Sequence, residues 1–389
     1  MTHLPAAILN DDALIRVLDA LEARGARAWL VGGVVRNALL GEPVSDIDIA
    51  TDAPPTEVSL LAEAAGLRAV PTGIDHGTVT LVADGRGFEV TTFRRDVETD
   101  GRHAVVAFST DLAEDAARRD FTINALYADR AGRVLDPVGG LPDLAARRLR
   151  FVGEPEDRIR EDYLRILRFF RFFAQYGREA QPRALAACAA LRDGLARIAP
   201  ERVGAEMRKL LAAPAPGAAI ALMAQTGVLD LILPGARPDA LQNLIAAENA
   251  AEAQPSWRRR LAALVPGDPT EALRLSRHES RHLARLREAA RARWSLDEAG
   301  YRLTAPEALD HALLHRGIGL PVDWRARLDR AQASPLPLKA SDLPGLSGPA
   351  LGRALRAAES AWIASAFTLP APALIDAALN ADLNPKDTP

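Results

Sequence analysis

Two aspartates follow a glycine-rich turn near the start of the chain. In LVGGVVRNALLGEPVSDIDIAT, residues 30–51, the pair Gly32 and Gly33 precedes Asp46 and Asp48. The aspartates alternate along a predicted strand, so we expect both carboxylates to face the same side. Such carboxylates can hold Mg²⁺ ions that bridge an attacking hydroxyl and the α-phosphate of a nucleoside triphosphate. An isolated Asp-x-Asp pair is more often a solvated strand face, so its neighbours decide the interpretation.

The glycine turn separates a predicted strand from a predicted helix. Backbone N–H groups at such a turn can approach a triphosphate, and the helix dipole favours negative charge there. Arg36, one turn into the helix, adds a cationic group. A Gly-Gly turn alone is usually only a turn, but its combination with an arginine and two aspartates is far more specific. The segment therefore predicts a site for a metal-bound nucleotide.

The elements around this segment predict a mixed α/β domain. A helix is expected from Asp11 or Asp12 to about Arg24, followed by the strand in ARAWLVGG and a helix that stops at Gly41. DIDIAT predicts a second strand. GTVTLVADGRGFEVTTF predicts a hairpin that turns over residues 84–87.

The composition and periodicity of the sequence change at about Glu154. Strand signals vanish there, and Ala, Leu and Arg recur with helical periodicity to about Ala378. The sequence therefore predicts three parts: an α/β head over residues 1–150, a helical neck over 151–215, and a helical body and tail over 216–389.

Composition sets limits on the class of protein. The 389 residues are 48% hydrophobic and 25% charged, as in soluble globular proteins. The net charge of −3 gives no global sign of nucleic acid, so RNA contacts would come from local basic patches. No signal peptide or membrane span is predicted. Cys188 is the only cysteine, which fits a reducing compartment and predicts a cytoplasmic protein.

The first segment resembles motif A of the class II tRNA nucleotidyltransferase and poly(A) polymerase family, whose head belongs to the DNA polymerase β superfamily. The family usually has an aspartate after the arginine, where this chain has Asn37. Four later segments resemble motifs B to E in order: RRDFTINAL (118–126), LDPVGGLPDL (135–144), EDYLRILRFFRF (161–172) and ERVGAEMRKLL (201–211). The resemblance implies a polymerase β-like α/β nucleotidyltransferase head followed by an all-helical neck, body and tail.

The resemblance also implies an activity. It is that of a template-independent enzyme that adds CCA to the 3′ end of tRNA from CTP and ATP and releases pyrophosphate. Asp46 and Asp48 would be the catalytic metal ligands, with two Mg²⁺ ions as cofactor. Gly32, Gly33, Arg36 and Arg119 would bind the nucleotide. The expected partners are tRNA, CTP and ATP, with neither DNA nor a membrane.

Motif D carries charged residues at a spacing of three: Asp162, Arg165, Arg168 and Arg171. A solvated helix face is the ordinary explanation, but the flanking apolar residues suit a packed helix whose polar stripe faces a cleft. The family assigns the aspartate and the first arginine to base selection. A carboxylate accepts from the amino groups of cytosine and adenine, and a guanidinium donates to their ring acceptors. Uracil and guanine would leave these groups unpaired. Arg168 and Arg171 are better placed for phosphates or the primer.

Three weaker features complete the set of candidates. Glu89 is a candidate third metal carboxylate, although a strand glutamate more often faces solvent. Residues 94–108 resemble the flexible loop of full CCA-adding enzymes, and their polar composition suits a mobile element. Arginines between Arg274 and Arg291 fall at largely helical spacing and could follow a tRNA backbone, with a solvated helix face as the alternative.

Two other functions stay open on the sequence. Bacterial poly(A) polymerases share the head and motifs, but usually carry a basic R-R-F-x-L-x-H element, which the stretch VPTGIDHGTVTL lacks. This favours CCA addition without excluding poly(A) or A-only addition. A catalytically silent RNA-binding protein is the second alternative, and the retained Asp46, Asp48 and Arg165 argue against it.

Overall fold

The computed structural model describes residues 2–100, 103–316 and 319–383, and the chain divides into two compact units, Met1–Pro234 and Gly235–Pro389. All five motifs lie in the first unit. The first unit consists of a mixed α/β head followed by helices, as the sequence predicts. The finer division at residues 150 and 215 stays a prediction.

A seven-stranded mixed sheet forms the base of the head. The strands of the described residues are β1 (Ala28–Val31), β2 (Asp48–Thr51), β3 (Arg68–Gly73), β4 (Thr78–Ala83), β5 (Arg86–Thr92), β6 (Arg94–Asp100), β7 (His103–Phe108), β8 (Tyr127–Ala128), β9 (Val134–Leu135), β10 (Arg148–Leu149) and β11 (Glu179–Ala180). The order in the seven-stranded sheet is β3-β4-β5-β2-β1-β8-β9, and within that sheet only β2 and β5 pair in parallel.

Twelve α-helices belong to the described part of the first unit. They are α1 (Ala6–Leu9), α2 (Asp12–Glu22), α3 (Gly33–Leu40), α4 (Pro55–Ala64), α5 (Leu112–Ala117), α6 (Gly140–Ala145), α7 (Pro155–Glu161), α8 (Leu164–Tyr176), α9 (Pro182–Ala190), α10 (Pro200–Ala212), α11 (Pro216–Gln225) and α12 (Val228–Ile232). Predicted caps are confirmed at two helix ends. Asp11 accepts from the first-turn N–H groups of α2 at 3.1 and 3.2 Å, and Gly41 ends α3 in the left-handed conformation.

The structure refines three predictions about strands. The predicted hairpin is β4–β5, and its turn is only Asp84 and Gly85, both with positive φ, as a two-residue hairpin turn requires. The segment expected to be a mobile loop pairs as the antiparallel hairpin β6–β7, with residues 101–102 outside the described ranges. The expectation that strands end before Glu154 is wrong at β11, which pairs with β10 in parallel.

The second unit is helical in its described residues. Its α-helices are α13 (Pro238–Ala250), α14 (Trp257–Leu264), α15 (Arg277–Arg291), α16 (Leu296–Arg302), α17 (Ala305–Arg316), α18 (Trp324–Gln332), α19 (Gly348–Ala364) and α20 (Ala371–Leu383). Its interior holds Arg259, which is 1% exposed and pairs with Glu248 at 2.6 Å and Asp310 at 2.9 Å. Across the described ranges of the whole chain, every helix is too short or too polar to cross a bilayer.

The arginines predicted to follow RNA lie on and beside α15. Arg277, Arg281 and Arg291 are exposed, whereas Arg285 is partly buried and pairs with Glu307 at 3.3 Å. Only part of this row therefore faces solvent, and its contact with RNA stays a prediction.

Candidate active site

A cavity of about 840 Å³ opens within the first unit where the head meets helices α8 and α10. Its walls combine residues from four of the five motifs. The structure brings eight of the ten predicted site residues to this cavity: Gly32, Gly33, Arg36, Asp46, Asp48, Arg119, Arg168 and Arg171. The other two, Asp162 and Arg165, are not among its lining residues.

The Gly-Gly turn joins β1 to α3 through a backbone conformation that favours glycine. Gly32 has φ 70° and ψ −114°, outside the range of ordinary L-residues. Its N–H donates to the carbonyl of Leu126 at 3.1 Å, so it is not available to a ligand. The groups left to bind an anion are the first-turn N–H groups of α3, beginning with Gly33.

The two aspartates lie at the entrance to β2. Asp46 is exposed just before the strand, and Asp48 is its partly buried first residue. Because β2 and β5 are parallel, Glu89 stands directly beside Asp48 in the register. Burial raises the pKa of Asp48, and the charges of Glu89 and Asp46 raise it further.

This donor set fits a hard divalent cation that keeps other ligands. Carboxylate oxygens suit Mg²⁺, which usually takes one or two of them together with water and substrate phosphates. Within residues 2–100, 103–316 and 319–383, no three Asp, Glu, His or Cys side chains are arranged to hold a metal on their own. Glu89 therefore borders the aspartate pair without completing a three-ligand cluster.

A network of hydrogen bonds links motifs A, B and D within the cavity wall. Arg36 donates to the side-chain oxygen of Asn124, whose amide donates to Asp120 at 3.0 Å. Arg168 donates to the other carboxylate oxygen of Asp120 at 2.5 and 2.8 Å. Burial alone would raise the pKa of Asp120, but the charge of Arg168 and the Asn124 donor hold it below its usual range. Asp120 is therefore ionised, and it lies at the centre of this hydrogen-bond network.

Arg36 is held by aromatic groups as well as by amides. It is 6% exposed, donates to the Tyr176 hydroxyl at 2.9 Å, and lies 4.2 Å from the centre of that ring. Burial lowers the pKa of Arg36, and the Tyr176 hydroxyl opposes this shift; a guanidinium stays charged in proteins. The wall thus carries a fixed positive charge beside the glycine turn.

Asn37 uses both ends of its amide. Its oxygen accepts from Arg36 at 2.9 and 3.1 Å, and its nitrogen donates to the carbonyl of Pro43 at 2.8 Å. The aspartate usual in the family could supply only the acceptor. The asparagine therefore ties Arg36 to the loop that leads to Asp46.

Arg119 is fixed by a buried acid and a phenol. It donates to Asp115 at 2.9 and 3.2 Å and to the Tyr127 hydroxyl at 2.9 Å, and that hydroxyl donates to Asp115 at 2.7 Å. Burial opposes the charge of Arg119, but Tyr127 and Asp115 outweigh it and raise the pKa of the guanidinium. Its charge and direction are therefore set before any ligand binds.

Motif E supports the arginine stripe of α8. Glu206 of α10 accepts from Arg171 at 2.5 Å, and the Arg171 guanidinium lies 4.0 Å from the centre of the Phe172 ring. Asp162 pairs instead with Arg202 of α10 at 2.7 Å. Arg165 bonds to Glu161 and to the carbonyl of Arg158. The two residues expected to read the base are thus engaged by protein groups outside the cavity wall.

Motif C supports motif B from behind. Asp136 caps α6 by accepting from the N–H groups of Gly140 and Leu141 at 2.6 and 2.9 Å. Asp143, one turn further, accepts from the Thr122 hydroxyl at 2.7 Å. A side chain at Gly140 would meet the Thr122 carbonyl oxygen at 2.2 Å, so only glycine permits this close packing. Motif C therefore packs against and supports the loop that carries Arg119.

Several cavity residues were not predicted as site residues. Among them are Asp120, Asn124, Phe172, Gln175, Tyr176 and Lys209. The first two lie inside the motif B segment, and the next three follow Arg168 and Arg171 on one face of α8 at helical spacing. Lys209 had no signal beyond its place in motif E.

Comparison with known proteins agrees with this fold. A family model described as "Poly A polymerase head domain" matches residues 28–150, and one described as "Probable RNA and SrmB- binding site of polymerase A" matches residues 180–239. A CCA-adding enzyme of Levilactobacillus brevis is 43% identical over 221 residues, which are 56% of this chain and 53% of that protein. The human mitochondrial CCA tRNA nucleotidyltransferase 1 is 45% identical over 189 residues, 47% of this chain and 43% of that protein. The chain spans about half the length of these relatives.

Solved structures match over nearly the whole chain. The CCA-adding enzyme of Bacillus stearothermophilus in complex with CTP has a TM-score of 0.76 and 28% identity, and the match covers 97% of this chain and 98% of that one. The Thermotoga maritima CCA-adding enzyme complexed with tRNA has a TM-score of 0.71 at 20% identity, covers 98% and 100% of the two chains, and supports the fold alone.

The fold is a mixed α/β head followed by a helical remainder, and it matches the CCA-adding enzyme solved with CTP. Residues 28–150 match the poly(A) polymerase head family, and the chain as a whole is similar in fold to CCA-adding enzymes. Polymerase-type nucleotidyltransferases of this kind generally use a divalent metal.

Proposed function

We propose that this chain adds C, C and A to the 3′ end of tRNA from CTP and ATP, with release of pyrophosphate and without a nucleic-acid template. The observation that carries the proposal is the cavity, which gathers a glycine turn, two aspartates and four arginines from motifs A, B and D. Support also comes from the match to a CCA-adding enzyme solved with CTP at 28% identity over nearly the full chain.

The cavity residues suit nucleotidyl transfer. Asp46 and Asp48 would hold two Mg²⁺ ions, which would favour ionisation of the primer 3′-hydroxyl and offset charge on the pyrophosphate leaving group. The first turn of α3 and Arg36 would bind phosphate oxygens. Arg119, already oriented by Asp115, would add a second fixed cation. Positioning and fixed charge dominate catalysis in related phosphoryl transfers.

Base selection is assigned to Asp162 and Arg165. Arg165 is now bonded to Glu161, and Asp162 to Arg202, so the assignment requires these side chains to exchange partners or reorient when a nucleotide binds. Arg168 and Arg171, which already line the cavity, would serve phosphate or primer binding. The two roles predict different effects of mutation on nucleotide choice.

The second unit would contact tRNA. Arg277 and Arg281 are exposed and one helical turn apart on α15, which suits a phosphate backbone.

The cytoplasm is the proposed compartment, since the only cysteine, Cys188, is a buried free thiol.

Sequencing the ends of reacted tRNA tests the proposal. Two tRNA transcripts, one without its CCA end and one that ends in CC, are incubated with each nucleoside triphosphate singly and with CTP and ATP together. On the first transcript, CTP alone should add two residues, and the mixture should add CCA and stop. An open-ended A tail would favour poly(A) polymerase, and addition of a single A only to tRNA that already ends in CC would favour an A-adding enzyme.

A further inference from the structure

Lysine is scarce in this chain. Of 48 basic residues only three are lysines: Lys209, Lys339 and Lys386. Arginine therefore serves nearly every position where the protein uses a positive charge. A lysine in the cavity wall stands out against this composition, because the two side chains bind anions differently.

Lys209 is that residue. It lies in the last turn of α10, is exposed, and lines the cavity together with Arg171 and Tyr176. In the described part of the chain its ammonium group has no carboxylate within ion-pair distance.

The arginines of the same wall are all engaged. Arg119 is bound by Asp115, Arg168 by Asp120 and Arg171 by Glu206. Arg36 donates to two amides and a phenol. Lys209 is therefore the cation of this wall that can take up a new anion without giving up a protein partner in the described structure.

We propose that the Lys209 ammonium binds a phosphate oxygen of a substrate in this cavity. The proposal rests on the proposed function, whose substrates, a nucleoside triphosphate and an RNA end, both carry phosphate. A lysine suits the position because its compact charge on a flexible stem can follow a phosphate that moves between successive additions. The arginines of the wall are fixed by their partners and cannot move in this way.

Protection from acetylation tests the contact directly. The full-length protein is treated briefly with a water-soluble acetylating reagent, and each lysine is quantified by mass spectrometry. Parallel samples contain CTP with Mg²⁺, tRNA lacking CCA, both, or neither. Lys209 should be protected several-fold relative to the sample without ligand, and exposed Lys339, which lies outside the cavity, serves as the internal control in the sample with CTP alone. Protection by CTP alone assigns the phosphate to the nucleotide, and protection by RNA alone assigns it to the primer.

Steady-state kinetics of variants provides the second test. Lys209→Ala should raise KM for the protecting ligand by about 10- to 100-fold, the loss expected for one charge-assisted hydrogen bond. Lys209→Arg should recover part of this loss, and Lys339→Ala should match the wild type.

The outcomes separate this proposal from the proposed function. If tRNA gains CCA but Lys209 is acetylated equally in all four samples and Lys209→Ala keeps its KM values, the Lys209 contact is wrong and the function stands. If no sample adds nucleotides and neither ligand protects Lys209, both proposals fail.

Discussion

The carboxylate of Asp120 holds the guanidinium of Arg168 through two contacts, at 2.8 Å to Nε and 2.5 Å to one terminal nitrogen. Its other oxygen accepts a hydrogen bond from the amide nitrogen of Asn124, whose amide oxygen accepts one from Arg36. One buried acid thus connects the loop of motif B with helices α3 and α8. The positions of two cavity arginines depend on it.

Asp120→Ala should therefore lower both stability and activity. The loss leaves Arg168 and Asn124 without their acceptor in a buried setting, which costs about 1–3 kcal/mol. Urea denaturation should show this decrease, and KM for CTP should rise. For Asp120→Asn, the stability and the KM for CTP should both lie between those of the wild type and those of Asp120→Ala. Glu154→Ala, which breaks the exposed pair with Arg183, is the control and should change neither quantity. An Asp120→Ala protein with wild-type stability would contradict the linking role.

Asp46→Ala and Asp48→Ala should each abolish nucleotide addition while leaving the fold intact. Metal assistance supplies several kcal/mol of transition-state stabilisation, so kcat should fall by roughly a thousandfold or more. Glu89→Gln should lower kcat less, because Glu89 only lies beside the pair Asp46 and Asp48. Circular dichroism and tRNA binding serve as controls for folding. Turnover near wild type in either aspartate variant would remove the metal assignment.

Asn37→Asp should retain nearly all activity. The carboxylate keeps the acceptor for Arg36 and loses only the bond to the exposed Pro43 carbonyl, a change of about 0.5–1.5 kcal/mol at most. Asn37→Leu loses both bonds and should raise KM for CTP more. The measurement is kcat/KM for CTP with each variant. An inactive Asn37→Asp enzyme would show that the amide nitrogen does more than hold the loop.

Gly140→Ala should destabilise the head strongly. The added methyl group would lie 2.2 Å from the Thr122 carbonyl oxygen, and a backbone atom cannot rotate away. Overpacking of this kind typically costs about 1–3 kcal/mol and occasionally more. Thermal unfolding compares it with Gly267→Ala, where a methyl group meets no atom within 4 Å. Equal melting temperatures for the two variants would contradict the packing.

The sequence predicted those elements whose signals are local. Alternation of residues, the Asp-Gly turn and helix caps gave β4, β5, α2 and α3, because each signal acts within a few residues. Eight of the ten predicted site residues, all from motifs A, B and D, lie at one cavity. The hairpin β6–β7 was missed because its composition is polar and its pairing depends on backbone bonds.

The tertiary contacts of individual side chains could not be predicted from the sequence. Nothing in the spacing of Asp120 or Glu206 indicates that each receives an arginine from α8, across 48 and 35 residues respectively. For the same reason the engagement of Asp162 by Arg202 was not expected. Lys209 became a candidate only when its neighbours on the wall proved to be paired.

In the proposed function, this protein reads the incoming base with its own side chains. The most direct measurement is the ratio of kcat/KM for CTP to that for UTP on one tRNA primer, in wild type, Arg165→Ala and Arg168→Ala. One good base contact gives about 1–3 kcal/mol of discrimination, so Arg165→Ala should narrow the ratio by about one to two powers of ten. Arg168→Ala should slow both nucleotides and leave the ratio unchanged. A ratio that stays at the wild-type value in Arg165→Ala while activity falls would contradict the assignment of base reading to Arg165.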